Sequence, residues 1–358
     1  MAVQVFDGHN DLLLRLWRAG ARREEIFLDI EGGAAAPVGH LDLPRMRAGG
    51  FAGGLFAIYV PSDFEGDPAD FLKAMDNPPY DMPLPDPVPQ DRAAAVALAQ
   101  AGIFGWMERV SAGTFRTCRD VAQIRAAMGA GAIAGVLHIE GAEAIGPDLD
   151  ALHLFHAAGL RSLGPVWSRP TVFGHGVPFR FPADPDTGEG LTQAGRALIR
   201  ECAALRILVD VSHLNAQGFR DLMAVSDRPI VATHSNAWAV TPSARNLTDW
   251  QLDAIAESDG MVGLNFATVF LRPDGRDSPE MGWEPVMRHL DHLILRLGEG
   301  RVGLGSDFDG ATVPRGIGDA AGLPRLFEAM RAHGYDEALI ARLAHGNWLA
   351  ALERVWGD

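Results

Sequence analysis

Histidine and carboxylate side chains recur directly after short apolar runs along this chain of 358 residues. They are His9 and Asp11, Glu140, His213, His234, and Asp307 with Asp309. Histidine, aspartate and glutamate without cysteine form ligand sets that suit zinc, or less specifically manganese or cobalt. The pattern therefore predicts a metal site assembled from residues that lie far apart in the sequence.

The number of these residues bears on the number of metal ions. A single zinc ion takes about three protein ligands and a water. The candidate ligands are five: His9, Asp11, Glu140, His213 and His234. Two ions sharing one carboxylate fit that number better than one ion, and Glu140 would be the shared carboxylate. A carbamylated lysine is not predicted as the bridge, because the only lysine, Lys73, lies in the amphipathic segment 69–76 and not at a strand end.

The elements that must position these residues alternate along the chain. Strands are predicted at 3–7, 54–60, 134–139, 161–167, 207–211, 230–233, 261–266 and 302–306. Helices are predicted at 92–110, 121–128, 149–157, 193–205, 216–224, 249–256 and 285–297, with helical material from 323 to 356. This order predicts an α/β fold, a TIM-type (β/α)8 barrel forming a single domain over 1–358, with C-terminal helices. A doubly wound sheet is the alternative, but no Gly-rich phosphate loop follows the first strand.

Composition narrows the classes of partner and compartment. Apolar residues make up 47% and charged residues 22%, as in ordinary globular proteins. The net charge of −15 disfavours nucleic acid and anionic membranes as partners. No apolar run approaches the ~18 residues of a membrane span. The first residues do not have the pattern of a secretory signal. Two cysteines in a chain of this length do not form a disulfide framework. A cytoplasmic protein is predicted.

The motifs resemble those of the membrane (renal) dipeptidase family, zinc dipeptidases of the amidohydrolase-like barrel superfamily. That family has His-x-Asp after its first strand, as in His9 and Asp11, where most amidohydrolases have His-x-His. The glutamate at strand three, the Ser-His and Thr-His-Ser segments, Ser-Ala-Arg-Asn at 243–246 and Gly-Ser-Asp-Phe-Asp-Gly at 305–310 also match. The resemblance covers essentially the whole chain and indicates a bacterial member.

The resemblance implies a role for each matching position. His9 and Asp11 would bind one zinc ion, His213 and His234 the other, and Glu140 would bridge the two. Manganese or cobalt would also suit these ligands.

The same resemblance implies substrate-binding and catalytic residues. Arg245 would pair with the substrate's terminal carboxylate, a task that suits the two parallel N–H donors of a guanidinium. Asp307 would deprotonate a water held between the metals and pass the proton to the leaving amine. Asp309 is expected to shape the loop. The implied reaction is hydrolysis of a dipeptide with a free carboxylate, with tolerance of a D-residue at its C-terminal position. The oligomeric state stays open, with a homodimer suggested by the family.

One departure from the family pattern concerns the substrate. Trp167 stands where the family commonly has a histidine after strand four that steadies the oxyanion, and an indole cannot carry a positive charge. His175, between Gly174 and Gly176, is the candidate to compensate, because flanking glycines let it reach inward; the alternative is an ordinary loop histidine. Loops around 78–87 and 169–190 are expected to roof the site.

Two other functions remain open from the sequence. The first is a different hydrolase on the same dinuclear barrel, acting on a lactam, an N-acyl amino acid or a phosphoester. Phosphoesters usually need several basic groups at the site, and the visible candidates are Arg245 and Arg169. The second is a catalytically inactive metal-binding scaffold, against which the positioned Asp307 argues.

Overall fold

The computed structural model describes residues 3–29, 39–62 and 73–357 of the chain. The strands in these ranges are β1 Val5–Asn10, β2 Phe51–Tyr59, β3 Tyr80–Asp81, β4 Phe115–Thr117, β5 Ile133–Glu140, β6 Leu160–Gly164, β7 Arg180–Phe181, β8 Leu208–Val209, β9 Val231–Ala232, β10 Met261–Asn265 and β11 Val302–Gly305.

Helices follow most of these strands. They are α1 Leu12–Ala19, α2 Arg23–Leu28, α3 Leu43–Ala48, α4 Gln90–Val110, α5 Val121–Gly129, α6 Asp150–Ala158, α7 Gln193–Ala204, α8 Ala216–Met223, α9 Asp249–Glu257, α10 Thr268–Leu271, α11 Glu284–Leu297, α12 Leu323–His333, α13 Glu337–Ala341 and α14 Asn347–Trp356. None of the helices in the described ranges is long and apolar enough to cross a bilayer.

Eight parallel strands form the barrel, in the order β8-β6-β5-β2-β1-β11-β10-β9. The two end strands of this order meet through a parallel bridge between Asp210 and Val231, and the Val211 N–H donates to the Val231 carbonyl at 2.9 Å. The barrel prediction is therefore confirmed, with the ends of β8 and β9 joined by a short seam.

The barrel strands are buried on both faces, which explains their near-continuous apolar sequences. Every residue of β5 is buried, including the terminal Glu140. Helix α14 packs on the barrel and buries Trp348 completely, with the indole N–H donating to the Leu304 carbonyl at 2.8 Å. A buried glutamate at the end of such a strand needs a compensating group, and the strand end is where the site lies.

The two loops that were expected to cover the site, around 78–87 and at 169–190, are joined by a small two-stranded ribbon. Strands β3 and β7 pair antiparallel, Tyr80 opposite Phe181. These two rings pack with Val269 and Phe270 in a separate apolar cluster. The ribbon therefore ties the loop around 78–87 to the loop 169–190, while residues 63–72 lie outside the described part of the chain.

Candidate metal centre and active site

Four barrel strands deliver the five predicted ligands to one end of the barrel. His9 lies near the end of β1 and Asp11 directly precedes α1, Glu140 ends β5, His213 follows β8, and His234 follows β9. All five side chains are at most 5% exposed. Their convergence follows from the parallel barrel, because the carboxyl ends of its strands lie on one face.

The Glu140 carboxylate occupies the centre of this cluster. Its Oε1 lies 2.9 Å from His213 Nε2, 3.3 Å from His234 Nε2 and 3.6 Å from His9 Nε2. The Nε2 atoms of His213 and His234 are 3.1 Å apart. Two ligand atoms held about 2.0–2.1 Å from a tetrahedral zinc ion lie roughly 3.3–3.4 Å from each other. The spacing of these atoms thus fits metal coordination, with Glu140 shared between two groups of ligands.

A second group of ligand atoms lies near the same nitrogen, Nε2 of His9. Asp11 Oδ2 is 3.5 Å from His9 Nε2, and ligand atoms of His9, Asp11 and Asp307 lie within 4.8 Å of one another. Gly310 permits this approach, because a Cβ there would stand 2.1 Å from Asp11 Oδ2 and 2.6 Å from Asp307 Oδ1. Both nitrogens of His9 are buried and have no hydrogen-bond partner among the described residues. Such orphaned nitrogens beside carboxylates fit a metal ligand.

The protonation of the cluster reflects its concentration of carboxylates. Burial opposes a charge on His9, yet the carboxylates of Glu140, Asp11 and Asp307 raise its pKa to about 10. Burial raises the pKa of Glu140 well above its ordinary value. A cation is therefore favoured at the centre of the cluster, where a metal ion would supply it.

The pKa values of the other two candidate histidine ligands, His213 and His234, are shifted in the opposite direction to that of His9. Burial, reinforced by nearby cations, lowers the pKa of His213 and of His234 well below the ordinary value. Both rings are neutral at working pH and keep a lone pair for a metal. Ser168 orients the first ring, since its Oγ lies 2.9 Å from His213 Nδ1 and leaves Nε2 facing Glu140.

Arg245 places a buried positive charge beside this cluster. It is 3% exposed, and its guanidinium lies 3.2 Å from Ser235 Oγ, 3.2 Å from the His234 carbonyl and 5.3 Å from the Phe270 ring centroid. Burial lowers its pKa to about 10, with Asp307 and other carboxylates opposing. Its Nε is buried without a hydrogen-bond partner, and no ion pair within the described ranges joins it to a carboxylate. A buried guanidinium of this kind is suited to receive an external carboxylate.

Asp307 and Asp309 have different surroundings despite their proximity in sequence. Asp307 adopts a positive φ of 57°, its N–H donates to the His9 carbonyl at 3.0 Å, and its Oδ2 accepts from Asn265 Nδ2 at 2.9 Å. Asp309 accepts from Arg15 Nε at 2.9 Å and from the backbone N–H of His40. Asp307 thus faces the cluster, whereas Asp309 organises the loop, as expected.

Trp167 lies on one wall of the site. Its ring centroid is 5.9 Å from that of His213 and 5.1 Å from that of Tyr59, which pairs in register with Glu140. Strand β6 ends at Gly164, because Pro165 has no N–H for the next ladder bond. The predicted strand 161–167 was therefore too long, and Trp167 belongs to the following loop.

His175 lies on the same loop but faces another residue. Its Nε2 is 3.4 Å from Glu189 Oε2, and its side chain is 38% exposed. The next stretch approaches the site through the backbone, since the Val177 N–H donates to the His213 carbonyl at 2.9 Å. The predicted role of His175 in substrate binding stays a prediction.

Several residues that hydrogen-bond around the ligand cluster were not predicted from the sequence. They are Asp7, Asp210, Thr233, Asn265 and Ser168. Asp7 and Asp210 carried a readable signal, because a carboxylate within or beside an apolar strand must be compensated, as argued for Glu140. Asn265 ends β10 and so occupies a strand end like the predicted ligands.

A parallel α/β barrel that gathers histidines and carboxylates at the carboxyl ends of its strands is an arrangement typical of metal-dependent hydrolases. The family model of the membrane dipeptidases, peptidase family M19, matches residues 1–357. The chain belongs to this family, as the sequence motifs predicted.

The chain is also similar to solved metallopeptidase structures and to a curated relative. A dipeptidase AC, a metallopeptidase of family M19, is 64% identical with a TM-score of 0.96, and the match covers 100% of both chains. A metallopeptidase from Rhodobacter sphaeroides, liganded with a phosphinate mimic of the dipeptide L-Ala-D-Ala, is also 64% identical with a TM-score of 0.96, covering 99% of this chain and 100% of that one. An uncharacterised protein in the pqqA 5′ region of Klebsiella pneumoniae is 48% identical over 246 residues, 69% of this chain and 91% of its own length.

Proposed function

We propose that this protein is a dinuclear zinc dipeptidase that hydrolyses dipeptides with a free C-terminal carboxylate, including those with a D-residue at that end. The observation that carries the proposal is the buried guanidinium of Arg245, which has no carboxylate partner in the described ranges and lies beside the ligand cluster. The dipeptide mimic bound by the Rhodobacter sphaeroides metallopeptidase supports the same substrate class.

Two zinc ions would be held by the residues whose ligand atoms converge on Glu140. His9 and Asp11 would hold one ion, His213 and His234 the other, and Glu140 would bridge them; manganese or cobalt would suit the same ligands. When bound, such ions polarise a carbonyl and lower the pKa of water, so that hydroxide is available near neutral pH.

Substrate binding would depend on Arg245 and the wall around it. The guanidinium would donate two parallel hydrogen bonds to the C-terminal carboxylate and so fix the distance of the scissile amide from Glu140. Trp167 and Tyr59 would form an aromatic wall that excludes water from the site.

Proton transfer would depend on Asp307. Burial raises the pKa of its carboxyl, which brings it closer to the range useful for accepting and releasing a proton. The Asn265 amide holds Oδ2, so the carboxylate keeps one orientation while Oδ1 stays available. Asp307 would accept a proton from the attacking water and deliver it to the leaving amine.

A matched substrate panel tests this proposal against the alternative hydrolase. Zinc-loaded protein is incubated with L-Ala-L-Ala, L-Ala-D-Ala, N-acetyl-D-alanine and a lactam, and release of the amine or opening of the lactam is followed. Cleavage of the dipeptides that stops with chelator supports the proposal. Cleavage confined to the N-acetyl compound or the lactam, with zinc bound, would replace the dipeptidase by an amide hydrolase of different specificity.

A further inference from the structure

A chain of hydrogen bonds connects His234 to a carboxylate beneath the ligand cluster. Thr233 Oγ1 lies 2.8 Å from His234 Nδ1 and 2.6 Å from Asp210 Oδ2. All three side chains are at most 3% exposed. Because water has little access to these atoms, the hydrogen bonds among them decide where each proton lies.

The single hydrogen of the Thr233 hydroxyl fixes the direction of this chain. If the hydroxyl donated to His234 Nδ1, two oxygen atoms carrying only lone pairs would face each other at 2.6 Å at the Asp210 carboxylate. If it donates to Asp210, a lone pair of its oxygen accepts a hydrogen bond from the Nδ1–H of His234. The second arrangement satisfies both contacts of the Thr233 hydroxyl, so His234 carries its proton on Nδ1 and presents a bare Nε2 toward Glu140.

Asp210 also fixes the two strand ends that carry ligands. Its Oδ1 accepts from the Ser212 N–H at 3.0 Å, the Ser212 hydroxyl at 2.6 Å and the Thr233 N–H at 2.9 Å. The Ser212 hydroxyl in turn accepts from the His234 N–H at 3.1 Å. This carboxylate therefore joins the residues preceding His213 and His234 across the short seam between β8 and β9.

We infer that Asp210 and Thr233 are positioning residues that set the tautomer of His234 for metal binding. The inference rests on the zinc site proposed above, but the tautomer itself is a property of the metal-free protein. His138 does not compete for the carboxylate, since its Nε2 is 3.7 Å from Asp210 Oδ2 and its Nδ1 lies 2.8 Å from Ser162 Oγ. Losing an outer partner of this kind typically weakens metal affinity 10- to 100-fold.

Three threonine variants test the inference. Thr233→Val removes the hydroxyl at nearly constant volume, and Thr233→Ser retains it. Thr268→Val is the matched control, because Thr268 is also fully buried and donates to a carboxylate, Asp277, at 2.9 Å. The readouts are the ¹⁵N chemical shifts of the His234 imidazole in metal-free protein, assigned with a His234→Asn variant, and the zinc affinity measured by competition with a chromophoric chelator.

The expected result distinguishes the three variants. Wild type and Thr233→Ser show the Nδ1–H tautomer, whereas Thr233→Val shows a mixture or the Nε2–H form and binds zinc roughly 10- to 100-fold more weakly. Thr268→Val keeps wild-type shifts and affinity. An Nε2–H tautomer in the wild type, or a Thr233→Val protein with unchanged tautomer and affinity, overturns the inference. A wild type that hydrolyses no dipeptide yet shows the Nδ1–H tautomer refutes the proposed function alone.

Discussion

Replacement of Arg245 by alanine should reduce hydrolysis of dipeptides mainly through substrate binding. The guanidinium has only neutral partners within the described ranges, at 3.2–3.3 Å, and one nitrogen without a partner. A substrate carboxylate would therefore supply the missing counter-charge. Two charge-assisted hydrogen bonds, each worth about 1.5–3 kcal/mol, set an upper limit. Since water and residual contacts recover part of this, we expect a loss of about 3–4 kcal/mol, or roughly 10²- to 10³-fold in kcat/KM.

The loss should fall on KM more than on kcat, because the carboxylate is bound alike in the ground state and the transition state. The assay compares L-Ala-D-Ala with its C-terminal amide in wild type and in Arg245→Ala. Wild type should prefer the acid by roughly 10²- to 10³-fold, and the variant should lose most of that preference. Arg220→Ala is the control, because Arg220 also lies over an aromatic ring, 4.9 Å from the centroid of Trp250, but its own side chain is exposed on helix α8.

Two results would refute this reasoning. One is a variant with unchanged preference for the acid over the amide, which would assign the carboxylate to another group. The other is an equal loss for acid and amide with lowered zinc content, which would show that Arg245 supports the ligand cluster instead of the substrate.

Three further predictions concern the site, the core and the thiols. Gly310→Ala places a Cβ 2.1 Å from Asp11 Oδ2 and 2.6 Å from Asp307 Oδ1, so elemental analysis should find at most one zinc ion per chain instead of two; two ions would contradict the expected clash. Burial lowers the pKa of His289 to about 3, below the value near 6.5 of the unfolded chain, so this histidine costs stability as the pH falls below 6.5. Urea unfolding should show wild type losing about 2 kcal/mol more than His289→Gln between pH 7 and pH 5, whereas parallel losses would argue against the buried neutral ring. Burial raises the pKa of Cys118 to about 12 and both cysteines are buried, so a thiol reagent should modify neither in the native protein and both in urea.

The barrel and the convergence of the candidate ligands could be predicted, because strands and the polar residues at their ends are visible in the local sequence pattern. Buried parallel strands are apolar throughout, so a polar residue at their end stands out, as Glu140 does after 133–139. The strand 161–167 was predicted three residues too long because its apolar pattern outweighed Pro165. Strands β3, β4 and β7 have only two or three residues and depend on partners far away in sequence, which no local pattern shows.

The hydrogen bonds that orient the candidate ligands could not be predicted, because they also join residues that are far apart in the sequence. Thr233 and Asp210 are 23 residues apart, and their contact exists only because the barrel closes between β8 and β9. Likewise, Asn265 reaches Asp307 across 42 residues through the neighbouring strands β10 and β11. The types of the ligands are visible in the sequence, whereas the hydrogen bonds that orient them arise from strand register.

Titration of the metal-free protein with zinc tests whether this dipeptidase needs two metal ions at Glu140. Hydrolysis of L-Ala-D-Ala is measured at each step against the zinc bound per chain. We expect little activity without metal and a rise that ends at two ions per chain, whereas Glu140→Gln should not reach the activity of the wild type. Full activity in metal-free protein, or none with two ions bound, would contradict this expectation.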